Sequence, residues 1–595
     1  MICTFAATLL ATVNFVECPK CDKRLRISED GREAFVNMSR VAPERKAEMK
    51  ARAEMLLEMA KPVTPANPKT PLMGWSSWNT FAEHISEEII VGVARTMATN
   101  GLKDAGYVYV NIDDGFFDGH GPDGRLRFNP KRFPNGMKGT VDGIHALGMK
   151  AGTYSDAGAN TCASYGGDKS GIGAGLYGHD TADCQLHFAE LGFDFFKVDY
   201  CGGRRLHLEE KARYTEIANA IKATGRTDVR LNICRWAFPG TWAADIAGSW
   251  RTTRDIRASW KSISDIIAEN LYLSAYASAG HFNDLDMLEV GQIKGAVKSA
   301  FGSSGDTGMT LDEEAAHFGM WCIMSSPLVL GNDVRITPPS TMKLVTNPYL
   351  LRMNQDPLGL QAYVAARDGE AYILVKDADV LFGKSRYVAL YNAEDTEHEF
   401  TVKAADLDLG GKVAAFDLME RADVGEFENE VCVKVRPHAA RFFRLDAEKR
   451  LDRVIYEAET AYLSDYSEID DSSYGTTNSC VVQGRAYYAP AQGASGGVAV
   501  VNLGARESND LIWKSVNVSE SGKYRLVFRV STPEPRKFYV QVNGGAKERI
   551  WIGKATDGFS DTHLDVELKK GVHSVRLTNA YGKTPDIDFM RVEKR

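Results

Sequence analysis

Cysteine is scarce, with 10 residues in a chain of 595. That density excludes a disulfide scaffold, and a chain this long buries its cores without staples. The twelve histidines include no HExxH and no close pair at metal-ligand spacing, so a catalytic zinc is not expected. Cys18 and Cys21 form a single CxxC. A structural zinc site needs a second such pair or added histidines, so the pair reads as part of a loose N-terminal arm. No apolar run reaches the ~18 residues of a membrane span. An excess of positive charge is lacking too: 71 Lys plus Arg face 79 Asp plus Glu, for a formal charge of −8. Without a basic stripe, no nucleic-acid partner is expected. Hydrophobic residues at 44% and charged residues at 25% describe an ordinary globular chain. Residues 2–16 are apolar, like the core of a secretory signal, but lack its basic start and a clear cleavage site. A truncated or wrongly started leader fits this stretch, so a secreted or periplasmic location is an expectation.

Four units follow along the chain. Residues 1–67 form an arm: the candidate leader, an exposed helix over about 41–60, and a linker at whose boundary with the next unit Pro62, Pro65, Pro68 and Pro71 exclude helix. Over 68–355, eight strand-like runs alternate with helical ones: 73–78, 107–114, 149–157, 193–201, 229–234, 249–256, 281–288 and 326–333. They are apolar on both faces, as parallel strands covered by helices are. Ser86 is an N-cap flanked by Ile85 and Ile90 as a hydrophobic staple. Tyr214, Ile217, Ala218 and Ile221 mark a helical face that Gly225 ends. The fold class is α/β: a (β/α)8 TIM barrel, with a doubly wound sheet as the alternative. Residues 356–448 read as a small antiparallel β domain, through AYILVKD, RYVALYN, KVAAFDL and ARFFRLD. Residues 453–595 read as a β-sandwich. In KYRLVFRV, Tyr524, Leu526, Phe528 and Val530 alternate with polar residues except at Val527, QVNGG is a turn, and LKKGVHSVRL reads as a further hairpin.

In a barrel the chemistry sits where strands end. The runs end in Asp113, Asp114, Asp156, Asp199, Asp255, Asp284 and Asp286, with Lys197, Arg251, Tyr154, Trp75 and Trp78 among them. Strand alternation puts Lys197, Asp199 and Cys201 on one face. A Lys beside an Asp keeps the carboxylate ionised, as a glycosyl nucleophile requires. Asp255 follows Arg251, and partial burial would raise its pKa and suit it to an acid role. Two carboxyls about 5–5.5 Å apart would give retention, and a gap above ~6.5 Å inversion. Aromatic faces beside carboxylates suit a sugar, whose C–H groups pack on rings and whose hydroxyls donate to carboxylates. Any single aspartate here could instead be a helix cap. Gly173, Gly175 and Gly178 spell GxGxxG, with Asp199 about twenty residues on. No strand precedes that motif, so a dinucleotide site is set aside.

These motifs resemble family 27 glycoside hydrolases, the α-galactosidase group of clan D, over about residues 70–445. MGWSSWNTF, IDD, YSDAGANTC, KVDYC, WRTTRDIRASWKSI and NDLDML stand in the family's order. The resemblance implies a retaining double displacement, with Asp199 as nucleophile and Asp255 as acid/base. It implies Asp113 and Asp114 at the 4- and 6-hydroxyls, further sugar contacts from Trp78, Tyr154, Lys197 and Arg251, and a wall of Asp286 and Met287. It also implies a disulfide between Cys162 and Cys201, which would suit an oxidising compartment. Cys234 lacks the family's usual partner and is expected to be free. Two departures bear on specificity. Gly115-Phe116 replaces the common Cys-Trp, and Arg235 stands where a Glu often faces the sugar's 2-substituent. A large Arg235 as a substrate contact argues against an N-acetylgalactosaminidase. Both changes leave a β-L-arabinopyranosidase open, since losing one carbon group shifts preference by only about 1–3 kcal/mol.

The C-terminal unit resembles family 35 and family 6 carbohydrate-binding modules through YEAE, SGGVAVVNLG and PDIDFMRV. That resemblance implies a structural calcium held by Glu457, Glu459 and Asp588, whose carboxylate oxygens suit a hard cation. No cofactor is expected for catalysis. Tyr487, Tyr488 and Tyr581 are loop aromatics that could meet a sugar but suit packing better. The expected partner is a carbohydrate substrate, acted on by an α-galactosidase or, alternatively, a β-L-arabinopyranosidase. A non-catalytic carbohydrate-binding protein is the third reading, opposed by the intact Asp199 and Asp255.

Overall fold

The computed structural model describes residues 25–27, 34–36, 43–62, 69–291, 307–470, 479–481 and 484–595. The apolar stretch at 2–16 and the Cys18–Cys21 pair lie outside them. Among the described residues, no helix is long and apolar enough to cross a membrane.

Eight parallel strands carry the unit at 69–355: β1 (Met73–Ser76), β2 (Tyr109–Asn111), β3 (Lys150–Asp156), β4 (Phe195–Asp199), β5 (Arg230–Ile233), β6 (Ser249–Arg251), β7 (Phe282–Asp284) and β8 (Leu328–Leu330). They pair in the order β7-β6-β5-β4-β3-β2-β1-β8. Just past β7, Leu288 bridges in parallel to Leu330 of β8, and Leu288 N donates to Val329 O at 2.7 Å. The eight-stranded parallel sheet therefore fits a (β/α)8 barrel. Nearly every strand residue is buried, the property that made these runs apolar on both faces. Each strand is shorter than its apolar run; Asp156, Asp199 and Asp284 are the last residues of their strands, and Asp113, Asp114, Asp255 and Asp286 follow theirs in loops.

The helical signals hold. Ser86 caps the helix Glu87–Thr99 by accepting from Ile89 N, and Ile85 and Ile90 are buried beside it. Helix Glu210–Ala223 buries Tyr214, Ile217, Ala218 and Ile221, and Gly225 follows at φ 80°.

The next unit is an antiparallel sheet: Tyr363–Asp368, Ala371–Asp377, Ser385–Asn392, Ala439–Arg450, Leu409–Asp417 and Ala422–Phe427, extended at its edge by Leu25–Ile27 and Ala34–Val36. Helix Leu311–Ile323 lies so close to it that a Cβ on Gly319 would sit 2.1 Å from the Phe442 ring. The helix Pro43–Met59 corrects an expectation. It is not exposed: Met49, Leu56 and Met59 are buried, Arg52 pairs with Asp423 and Asp446 at 2.9 Å each, and Tyr349 donates to Leu56 O.

The C-terminal residues form two antiparallel sheets around one core. Gly522–Ser531 pairs with Ser560–Leu568 and Asp586–Lys594 in one sheet. Arg536–Val542 pairs with Lys547–Ile552 and Gly571–Thr578 in the other. Phe528 meets Trp513 and Phe538 across the gap between them. Tyr524, Leu526, Phe528 and Val530 face this core, as their alternation predicts. The expected hairpin at LKKGVHSVRL is corrected: Ser560–Leu568 and Gly571–Thr578 belong to different sheets, so Lys569 and Lys570 carry the chain across the core.

Candidate active site

Strand ends β2, β3, β4, β6 and β7 converge on a cavity lined by Asp113, Tyr154, Lys197, Arg251, Asp286 and Met287, with Ser76, Asn111 and Asn232 between them. Tyr154 donates to Asp199 Oδ2 at 2.9 Å. Lys197 Nζ lies 3.0 Å from Asp113 Oδ2 and 3.9 Å from Asp199 Oδ1. Asp199 Oδ1 is buried and accepts no hydrogen bond. Burial pushes the Asp199 carboxyl up to about 6, the Lys197 charge pulls it down, and Asp113 adds to the rise. Burial works against the Lys197 charge, but Asp113 and Asp199 outweigh it and hold the ammonium well above its ordinary range.

Asp255 is placed differently. It follows β6 in a loop, its side chain is 53% exposed, and Arg251 Nη2 and Trp236 Nε1 both donate to its Oδ1, at 3.2 and 3.1 Å. The partial burial proposed to tune this acid is therefore largely missing. Nothing in the sequence marks Trp236 as part of the site except its place directly after Arg235. Arg251 also meets Asp286 Oδ2 at 2.8 Å. Asp286 has a left-handed backbone (φ 79°), which turns its carboxylate back to accept from Ile256 N and Met287 N. Burial raises Asp286 above the usual carboxylate range, with Arg251 opposing.

Other strand-end aspartates hold the scaffold. Asp156 Oδ1 accepts from Gly158 N and Gly202 N at 2.6 and 2.9 Å. Asp284 accepts from Asn232 and from Asp286 N. Asp114 accepts from Thr161, Ala163 N and Gly115 N, each within 2.9 Å, and burial lifts it to about 7. It thereby anchors the loop carrying Cys162, which is bonded to Cys201. Asp156, Cys162 and Cys201 also cluster at metal-ligand spacing, but both sulfurs are spent in that bond. Cys234 is free and buried, its sulfur 3.7 Å from Arg251 Nη1. Trp75 lies in the core and donates to Asn332 O, while Trp78 is half-buried at the start of helix Trp78–Phe81.

Both departures from the family pattern turn away from the cavity. Gly115 takes φ 107°, where a Cβ would lie 2.6 Å from Glu83 Cα. That backbone sends Phe116 into a buried cluster with Phe117, Phe128 and Phe133. Arg235, expected at the sugar, is corrected: its buried guanidinium donates to Ala237 O, Phe238 O and Glu468 O and pairs with Glu210 at 2.8 Å.

In the C-terminal unit, Ser495 joins two of the expected cation ligands: its hydroxyl donates to Glu457 Oε1 at 2.8 Å and its N–H to Asp588 Oδ1 at 2.9 Å. One buried oxygen each of Glu457, Glu459 and Asp588 accepts no hydrogen bond, although Arg529 Nε lies 3.0 Å from Asp588 Oδ2. Burial raises all three carboxyls; Asp588 adds to the rise of Glu457, Glu457 and Asp588 add to that of Glu459, and Arg529 opposes the rise of Glu457 and Asp588. An oxygen-only donor set suits a hard cation by its chemistry, although among the described residues these three carboxylates do not lie together at metal-ligand spacing. Tyr488 packs, its hydroxyl bonded to that of Tyr276 at 2.9 Å; Tyr487 is half-buried, and Tyr581 is 93% exposed.

The chain is similar to known proteins in sequence and fold. The family model described as alpha galactosidase A matches residues 70–356. An α-galactosidase A from Cellvibrio japonicus is 37% identical over 336 residues, 54% of this chain and 76% of its own length. The crystal structure of α-galactosidase I from Mortierella vinacea is 28% identical and superposes with a TM-score of 0.57, covering 65% of this chain and 100% of that one. A family 27 β-L-arabinopyranosidase from Geobacillus stearothermophilus, in complex with arabinose, shares the fold at 24% identity and a TM-score of 0.55, over 64% of this chain and 98% of its own. This chain belongs to the family 27 glycoside hydrolases, the family of the α-galactosidases.

Proposed function

We propose that the protein is an exo-acting α-galactosidase that releases terminal α-D-galactosyl residues from oligo- or polysaccharides with retention. The observation that carries this reading is the state of Asp199. One oxygen is fixed by Tyr154, the other accepts no hydrogen bond, and Lys197 stands 3.9 Å away to hold the charge. Asp199 attacks the anomeric carbon as Asp255 protonates the leaving oxygen. The bond to the leaving group breaks, and a galactosyl ester forms on Asp199. Asp255, now a carboxylate, takes a proton from water, which attacks the same carbon and frees both sugar and Asp199. Asp113, Lys197, Arg251 and Asp286 are polar groups of the cavity that can meet the sugar's hydroxyls, and Trp78, Asp114 and Met287 complete its proposed surroundings.

The β-L-arabinopyranosidase reading loses its motive, because Phe116 and Arg235 both face away from the cavity. Initial rates on para-nitrophenyl α-galactoside and para-nitrophenyl β-L-arabinopyranoside, measured side by side, test this. The galactoside is expected to be strongly preferred, and the reverse order would overturn the assignment. Residues 453–595 are proposed as a carbohydrate-binding module. Glu457, Glu459 and Asp588 would hold a calcium ion there, whose charge would relieve the repulsion among them. The Cys162–Cys201 bond supports export to an oxidising compartment.

A further inference from the structure

We infer that Arg235 and Glu468 are positioning residues of the active site, holding the 234–238 loop so that the Trp236 indole orients Asp255. The inference rests on the reading of Asp255 as the acid/base. Beyond β5 the chain turns at Trp236 through a left-handed backbone (φ 64°). A non-glycine residue keeps that conformation only where its surroundings impose it. The turn sends adjacent side chains in opposite directions. Trp236 donates to Asp255 Oδ1 at 3.1 Å, over an Arg204 guanidinium 5.3 Å from its ring. Arg235 points inward and ties Ala237 O and Phe238 O to Glu468 O, which it meets at 2.8 Å. Glu468 closes the clamp from its own side: its N–H donates to Phe238 O at 2.9 Å, and its Oε2 accepts from Phe238 N at 3.3 Å.

Asp255 needs such help. A carboxylate 53% exposed in a loop rotates freely unless bonded, and its two donors, Trp236 and Arg251, take the same oxygen. Its other oxygen is left to face the glycosidic oxygen. Glu468 lies in the unit read as a sugar-binding module, more than 200 residues downstream of the loop. Tyr466 stacks with Tyr276 and meets Phe238, with ring centroids 5.7 and 5.5 Å away, which fixes that segment against the barrel. The module thus supplies part of the frame that aims the acid/base.

The test uses the full-length chain with Trp236→Phe, Glu468→Ala, Glu468→Gln and Arg235→Met, and Asp255→Ala as the reference. kcat/KM is measured on para-nitrophenyl α-galactoside, whose leaving group needs little protonation, and on methyl α-galactoside, whose leaving group needs it fully. Trp236→Phe and Arg235→Met should each lose at least about tenfold more on the methyl glycoside, and Glu468→Ala, which removes the bond to Phe238 N but keeps the main-chain bonds, should lose less in the same direction. Glu468→Gln, which keeps an acceptor for Phe238 N, should recover most of that loss. The Trp236→Phe/Glu468→Ala double variant should lose no more than the worse single one. Equal losses on both substrates, or no loss, would overturn the inference and leave the clamp as domain adhesion only. Trp236→Phe leaves the clamp itself intact, so the split can be read even where Arg235→Met folds poorly. If Asp255→Ala shows no such split, the acid/base reading falls and takes the inference with it. If Asp255→Ala shows the split and the loop variants do not, only the inference falls.

Discussion

Tyr154 fixes Asp199: its hydroxyl donates to Oδ2 at 2.9 Å, and Oδ1 is left without a hydrogen bond. A hydrogen bond to a charged group contributes about 1.5–3 kcal/mol. Tyr154→Phe should therefore lower kcat/KM about 10- to 100-fold in steady-state assays. Asp199→Asn should abolish turnover with the fold retained by circular dichroism; near-normal activity in that variant would remove Asp199 from the mechanism.

The pH profile follows from the same pair. Burial holds Asp199 up at about 6, and attack requires the ionised form. kcat/KM should rise with pH through about 6. Lys197 is the charge that pulls this value down, so Lys197→Met should move the acidic limb to higher pH as well as lower the maximum. A limb unmoved in that variant would mean that another group sets it.

The three C-terminal carboxyls predict a pH-dependent response to calcium. Burial pushes Glu457 up to about 7 and Asp588 up to about 6, above the roughly 4 of unfolded chains. Their contribution to stability is complete below about pH 4 and is lost as pH rises through 6 to 7. A cation bound to the ionised forms counters that loss. Millimolar calcium should raise Tm more at pH 7.5 than at pH 5.5, and chelation should reverse it. An unchanged Tm at both pH values would remove the site.

Gly158 and Gly202 are packed backbone to backbone. A Cβ on Gly158 would lie 2.1 Å from Gly202 C, and Asp156 Oδ1 takes the N–H of both. Gly158→Ala must displace the segment carrying Cys201, next to the strand of Asp199. It should cost about 1–3 kcal/mol in denaturant unfolding and reduce kcat at the same time.

Much of this was legible in the sequence, for a physical reason. The eight barrel strands are buried on both faces, so their apolar runs stand out, and the carboxylates after them mark the mouth. Tyr154, Lys197, Arg251 and Asp286 stand at or just past those strand ends, which is why the motifs single them out. Arg235 was not legible as a clamp. Its direction is set by the left-handed turn at Trp236 and by Glu468, and neither leaves a local pattern. Phe116 misled for the same reason, since the φ of Gly115 decides which way it points. The helix Pro43–Met59 reads as polar because its buried side is narrow and Arg52 is neutralised by Asp423 and Asp446, 371 and 394 residues away in sequence. The crossing at Lys569–Lys570 looks like a hairpin turn, because the turn residues do not encode which sheet the next strand joins.

The most direct test of the central claim is the anomer released first from para-nitrophenyl α-galactoside, followed by proton NMR from the first minutes of reaction. Double displacement through Asp199 predicts α-galactose first, with the β anomer growing in only by mutarotation. β-Galactose first would mean a single displacement by water and would contradict the assignment of Asp199 as nucleophile.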